Sequence, residues 1–261
     1  MLTTAGLSKH FGGVQAVQKL DLTVAAGELV GIIGPNGSGK TTLFNLLMGL
    51  YPPDEGSIFF GNPPRSLVGL PPYRIASLGI ARTFQTLRLF PNLTVLENVL
   101  IGMHTQLRTG YWAAMLRTPA IRREEQEAEA SAFEVLAFFG KRLLSMCNEP
   151  ASSLSYANRR RLEITRALAA RPRLILLDEP AAGMNPSETK ELMEDIKRIH
   201  RMEHTMLVIE HDMTLIEGVA QRVIALDHGT KIAEGSFGEV RNDPAVIEAY
   251  LGKAYRHSAR A

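Results

Sequence analysis

The chain has 261 residues, 45% hydrophobic and 21% charged, a globular composition with length enough for a sizeable core and against disorder as the default. Its 29 basic and 27 acidic residues leave a formal charge of +2, too balanced for the electrostatic footprint of a nucleic-acid binder. Cys147 is the only cysteine, which rules out an internal disulfide and suits a reducing compartment.

No run approaches the ~18–20 apolar residues of a spanning helix. Residues 1–6 lack a basic leader and a long apolar segment, so the expectation is a cytoplasmic protein. Residues 2–9 and 14–24, around Gly12 and Gly13, predict two antiparallel strands joined by a glycine turn. The apolar run 29–33, between Gly27 and Gly34, predicts a buried strand feeding a tight loop. A helix is expected from near Lys40 to Gly49, where Tyr51, Pro52 and Pro53 follow.

Residues 86–153 read as a mainly helical insert. It holds a charged stretch at 122–129, then Phe133, Leu136 and Phe139 at spacings of three, expected on one face. Short apolar runs at 174–177, 206–209 and 223–226, separated by helical segments, predict a buried parallel sheet. Residues 253–261 read as a solvated tail.

Gly34, Pro35, Asn36, Gly37, Ser38, Gly39, Lys40 and Thr41 match G-x-x-x-x-G-K-[ST] at every fixed position, between a predicted strand and a predicted helix. Glycines allow the backbone amides to turn inward around phosphates, and the helix start adds positive potential. Lys40 is expected to neutralise the β and γ phosphates, Thr41 to ligate Mg²⁺ and Thr42 to bond a phosphate oxygen. This pattern specifies a nucleoside triphosphate without separating ATP from GTP.

Asp178 and Glu179 follow the apolar run 174–177, at the strand end where doubly wound sheets bind ligands. Asp178 is expected to hold Mg²⁺. Glu179, turned the opposite way by strand alternation, is expected to polarise the attacking water. His211, just past the run 206–209, is expected to reach the γ-phosphate.

With the phosphate loop, Gln85, Leu154-Ser155, Asp178-Glu179 and His211 in this order and spacing, the chain resembles ABC transporter ATPases over nearly its whole length. Within them it is most similar to the ATP-binding subunits of branched-chain or hydrophobic amino acid importers. That likeness is carried by residues 81–85, 160–164, 178–186, 209–213 and 249–252; the same segments look similar to ATPases for urea and for lipopolysaccharide export. The resemblance implies an α/β fold with a P-loop NTPase (RecA-like) core, its sheet mostly parallel. An N-terminal antiparallel β subdomain and the helical subdomain 86–153 complete it, with the core spanning 1–85 and 154–261.

By the same resemblance, Gln85 senses Mg²⁺ and the attacking water where the insert joins the core. Phe11 stacks on adenine or, on the residues alone, is a core phenylalanine. Val17 packs against the same nucleotide, and residues 89–91 border the groove for a membrane partner. Relatives carry Leu-Ser-Gly-Gly-Gln where this chain has Leu154-Ser155-Tyr156-Ala157-Asn158. Ser155 and Ala157 are thereby expected at the γ-phosphate of a nucleotide held by an opposite subunit, with Ser155 as a helix cap. The open question is room for the Ala157 methyl group. Asn185 stands where many members have aspartate. The implied cofactors are ATP and Mg²⁺. The implied partners are a second ATPase subunit, two membrane permeases and, indirectly, an external substrate-binding protein; the implied place is the cytoplasmic face of the inner membrane.

Overall fold

A computed structural model describes residues 1–106 and 118–251; the expected tail at 253–261 lies outside the described residues. In chain order β1 (Leu2–Phe11) and β2 (Val14–Val24) form the expected antiparallel pair. β3 (Leu29–Ile33) is buried at all five positions and leads through the glycine loop into α1 (Lys40–Leu47). β4 (Glu55–Phe60) pairs with the free edge of β1 and β5 (Arg65–Ser66) with β4, giving a sheet ordered β2-β1-β4-β5. α2 (Pro72–Ser77) then precedes β6 (Ile80–Arg82).

The insert supplies α3 (Val95–Gly102), α4 (Pro119–Phe138) and α5 (Lys141–Leu144). Thr94 and Glu97 start α3 with a reciprocal pair of cap bonds. Along the second half of α4 and just beyond it the buried positions are Ala132, Leu136 and Phe139, with Phe133 half-buried. The expected step of three thus misplaces Phe133, because only alternating steps of four and three track one face of a 3.6-residue helix.

α6 (Tyr156–Ala169) packs against α3 and α4 and touches β6, so it links the insert to the core. β7 (Leu174–Asp178), α7 (Pro186–His200), β8 (Thr205–Ile209), α8 (Met213–Val219) and β9 (Arg222–Asp227) follow, confirming the three apolar runs as strands. β10 (Thr230–Gly235), α9 (Phe237–Arg241) and α10 (Pro244–Leu251) close the described chain.

The second sheet is ordered β10-β9-β3-β8-β7-β6, parallel throughout except for the β9–β10 pair. Alternation along β3 sends Val30 and Ile32 into a core shared with α1 and the antiparallel sheet, while Leu29 and Ile33 enter a core shared with α6 and α7. Both faces of the sheet are covered, which is why its strands are continuous apolar runs. No helix among the described residues is long and apolar enough to cross a membrane.

Candidate functional site

The C-terminal ends of β3, β7 and β8 bring the phosphate loop, the acidic pair and His211 to one edge of the parallel sheet. Gly34 (φ 150°) and Gly39 (φ 100°) take backbone conformations closed to side chains. A methyl group on Gly34 would collide with the carbonyl of Leu226, and one on Gly39 with that of Ala16. The loop is therefore clamped between β9 and β2, with Asn36 and Gly37 exposed at its tip.

Lys40 Nζ donates to Gly34 O at 2.7 Å, Pro35 O at 2.9 Å and Ser38 Oγ at 3.3 Å. A phosphate in the loop competes with these oxygens for the ammonium. Burial pushes the Lys40 pKa below the usual lysine value, while Glu179 and Asp178 pull it back up. Ser38 is buried, so its hydroxyl serves Lys40. Thr41 is exposed and Thr42 half-buried on the first turn of α1.

Asp178 ends β7, 2% exposed, and accepts from Arg82 Nη2 at 2.7 Å. Arg82 also donates to Asn45 Oδ1 at 2.6 Å and lies between the Phe44 and Phe84 rings. Sequence reasoning names Arg82 only within the segment 81–85 that carries the family likeness and gives it no role; its burial, seen in the structure, obliges it to find a partner.

Strand alternation does not direct Glu179. β7 stops at Asp178, and Glu179 adopts φ 46°, a left-handed conformation costing a non-glycine residue about 1–3 kcal/mol. Its surroundings over-determine it. The Glu179 amide donates to Ile209 O at 2.9 Å and its carbonyl accepts from the Ala182 amide at 3.1 Å. Gln85 Nε2 donates to Glu179 Oε2 at 2.9 Å, and His211 Nδ1 lies 3.8 Å from Glu179 Oε1. The structure thus brings Gln85, Glu179 and His211 together. Glu210, next to His211, is buried with its carboxylate accepting the amides of Ala181, His211 and Asp212; burial nonetheless pushes its pKa up.

Thr41, Gln85 and Asp178 line one cleft of about 400 Å³ together with Tyr51 and Arg82. Hydroxyl, amide and carboxylate oxygens are hard donors, and magnesium is commonly held by one or two carboxylates plus substrate phosphates. The donor set fits that ion without a dense ligand cage. No group of three or more histidine, cysteine or acidic residues converges among the described residues.

Phe11 is 42% exposed and meets Tyr51 edge-on at 5.2 Å, with the Lys9 ammonium 5.6 Å from its ring centre, which removes the core reading and leaves a surface aromatic. Tyr51 had entered only as a helix stop. Val17 is corrected: at 1% exposure it is a core residue with no surface for a nucleotide. Ser155 is exposed and caps α6, accepting the Asn158 amide at 3.3 Å. Ala157 lies in the first turn of α6 at 3% exposure, so its methyl group is packed inside. Asn185 caps α7 as aspartate does, accepting the amides of Ser187 and Glu188 at 3.0 Å each.

A glycine-lined loop around a buried lysine, with Asp178 and Glu179 at the end of β7 in the same sheet, has the build of an α/β nucleoside triphosphatase. The family model described as ABC transporter matches residues 17–182, and that described as branched-chain amino acid ATP-binding cassette transporter matches residues 230–256. The chain is 47% identical over 255 residues to the high-affinity branched-chain amino acid transport ATP-binding protein LivG of Salmonella typhimurium, covering 97% of this chain and 98% of that one. It resembles the crystal structure of the ADP conformation of an ATP-binding cassette of an ABC transporter, with 33% identity, a TM-score of 0.83 and 97% and 99% coverage. It also resembles the dimeric post-hydrolysis state of an ATP-binding cassette bound to ADP and Pi, with 26% identity, a TM-score of 0.76 and 91% and 99% coverage. The chain belongs to the ABC transporter family and is one of its ATP-binding cassettes, an ATPase.

Proposed function

We propose that this chain hydrolyses ATP to power an importer for branched-chain or other hydrophobic amino acids, working on the cytoplasmic face of the inner membrane beneath two permease subunits. The observation that carries the catalytic reading is the Gln85–Glu179 hydrogen bond of 2.9 Å, which joins Glu179 to the cleft that Gln85 lines with Thr41 and Asp178. Lys40 and the loop amides hold the phosphates, and Thr41, Asp178 and Gln85 hold Mg²⁺. The ion supplies charge neutralisation at the phosphates. Glu179 accepts the proton of the attacking water, Gln85 orients both, and His211 steadies the far side beside the γ-phosphate. Phe11 gives the adenine an aromatic face.

Ser155 sits at an exposed helix start, where amides and hydroxyl suit an anion, and among the described residues no hydrogen bond joins it to Lys40, Asp178 or Glu179 of its own chain. One chain thus supplies two half-sites, and pairing with a second, related ATPase subunit completes both. Binding of ATP closes the pair and hydrolysis opens it, with the helical insert moving about Gln85 to drive the permeases. The substrate class is supported by the similarity to LivG and by the match at residues 230–256.

The test is reconstitution in lipid vesicles with the neighbouring ATPase and permease subunits and the external binding protein. Leucine, isoleucine or valine is expected to stimulate ATP turnover and to accumulate inside. Stimulation by urea alone would overturn the amino acid reading and leave the motor reading standing.

A further inference from the structure

α6 does more than present Ser155. Arg160, on the same helix, is 0% exposed, and its guanidinium reaches backbone on both sides of the catalytic pair. Nη1 donates to Phe84 O at 2.7 Å and to Glu163 Oε2 at 2.8 Å. Nη2 donates to Gln85 O and to Glu179 O, both at 3.1 Å. The second Glu163 oxygen accepts the amides of Phe84 and Arg88, both at 3.3 Å. One buried ion pair therefore holds the Gln85 segment by carbonyls and amides, and holds the left-handed Glu179 turn by its carbonyl.

Two physical points separate this from ordinary core filling. A buried ion pair is weak stabilisation, because desolvating both charges offsets their attraction. Here Arg160 Nε is also left without a hydrogen bond, so the fork is placed to reach carbonyls at the expense of its own satisfaction. Arginine's planar fork holds three carbonyls in fixed relative positions, which a lysine point charge does not. Ser155 and Arg160 lie five residues apart near the start of one buried helix, roughly 7.5 Å along its axis.

We infer that Arg160 is a positioning residue that, braced by Glu163, sets Gln85 against Glu179 and ties that setting to the engagement of Ser155 by the opposite subunit's nucleotide. The inference rests on the hydrolytic reading of Glu179 given above. α6 then acts as a rigid rod: a load on its exposed first turn is felt at the backbone of the hydrolytic pair in the same chain.

The experiment uses the full transporter complex and the variant Arg160→Met/Glu163→Gln. It removes both buried charges together, and the glutamine oxygen still accepts from the amides of Phe84 and Arg88. The expected result is a fall in kcat of about 100-fold with KM for ATP within about threefold, since a displacement near 1 Å at a reacting group costs about that much. The melting temperature is expected to fall by several degrees, because carbonyls of Phe84 and Gln85 lose their donor, while the ATP affinity of the isolated subunit stays near wild type. Arg160→Lys, keeping one cationic donor, is expected to recover about tenfold of the loss. A kcat within about threefold of wild type, or a loss expressed equally in ATP affinity, overturns the positioning role. Glu179→Gln is run in parallel: if it too turns over normally, the hydrolytic reading fails and the Arg160 inference falls with it.

Discussion

The phosphate-loop end and the Ser155 end of this chain are built on opposite terms. Around Lys40 the chain supplies every group itself: loop carbonyls and Ser38 hold the ammonium, Arg82 holds Asp178, and Gln85 holds Glu179. At the other end an exposed serine caps a helix, with Tyr156 beside it over Gly183. The difference teaches that folding preorganises the first end, while the second, on the two-subunit reading proposed above, is finished by another subunit. Preorganised donors contribute to binding in the isolated chain; on that reading the exposed cap contributes across an interface.

That contrast can be broken or sharpened by substitution. The largest effect is expected for Lys40→Met, where losing a buried charged donor costs about 2–5 kcal/mol, or about 30- to 4,000-fold in ATP affinity of the isolated subunit by calorimetry. Next is Gln85→Ala, which strips the donor from Glu179. Turnover in the complex is expected to fall about 10- to 100-fold while ATP affinity is nearly unchanged. Ser155→Ala removes the α6 cap, costing about 1 kcal/mol, or ~2–4 °C in melting temperature for a chain of this size. Its ATP affinity as an isolated subunit is expected to match wild type, and ATP-dependent pairing to be lost. An equal loss of affinity in the isolated Ser155 variant would erase the distinction between the two ends.

The smallest effect is a pH slope far from the site. His204 is half-buried with Nδ1 3.1 Å from Pro172 O, and burial pushes its pKa below the usual value of 6.5. The unfolded chain therefore takes up the proton first as pH falls below 6.5, and this group's contribution to stability declines until the folded pKa is passed. His204→Gln is expected to flatten melting temperature against pH below 6.5. A slope unchanged by the substitution assigns the dependence to other groups.

The phosphate loop was legible because its chemistry fixes residue types at fixed spacings within one strand-loop-helix. The acidic pair was legible because it follows an apolar strand of buried length. Other features escaped for physical reasons. The direction of Glu179 comes from a left-handed residue beyond the strand end, where period-two alternation no longer applies. Val17 is buried in a core shared with elements distant in sequence. Arg82 and Asp178 are 96 residues apart, and Arg160 finds Phe84 across 76. Local pattern marks such cations only as charges in apolar surroundings; it does not name what they hold. Phe133 shows a period error, and Asn185 shows that a departure from a family pattern can leave a cap intact.

The most direct test of a hydrolytic site shared between two subunits is ATP turnover and subunit pairing measured together on Glu179→Gln in the complete transporter. Turnover is expected to fall by ~10²–10⁴-fold, the usual worth of a positioned base. Light scattering is expected to show a pair held closed by ATP. Turnover within tenfold of wild type, with no ATP-held pair, would contradict both the role of Glu179 and the two-subunit site.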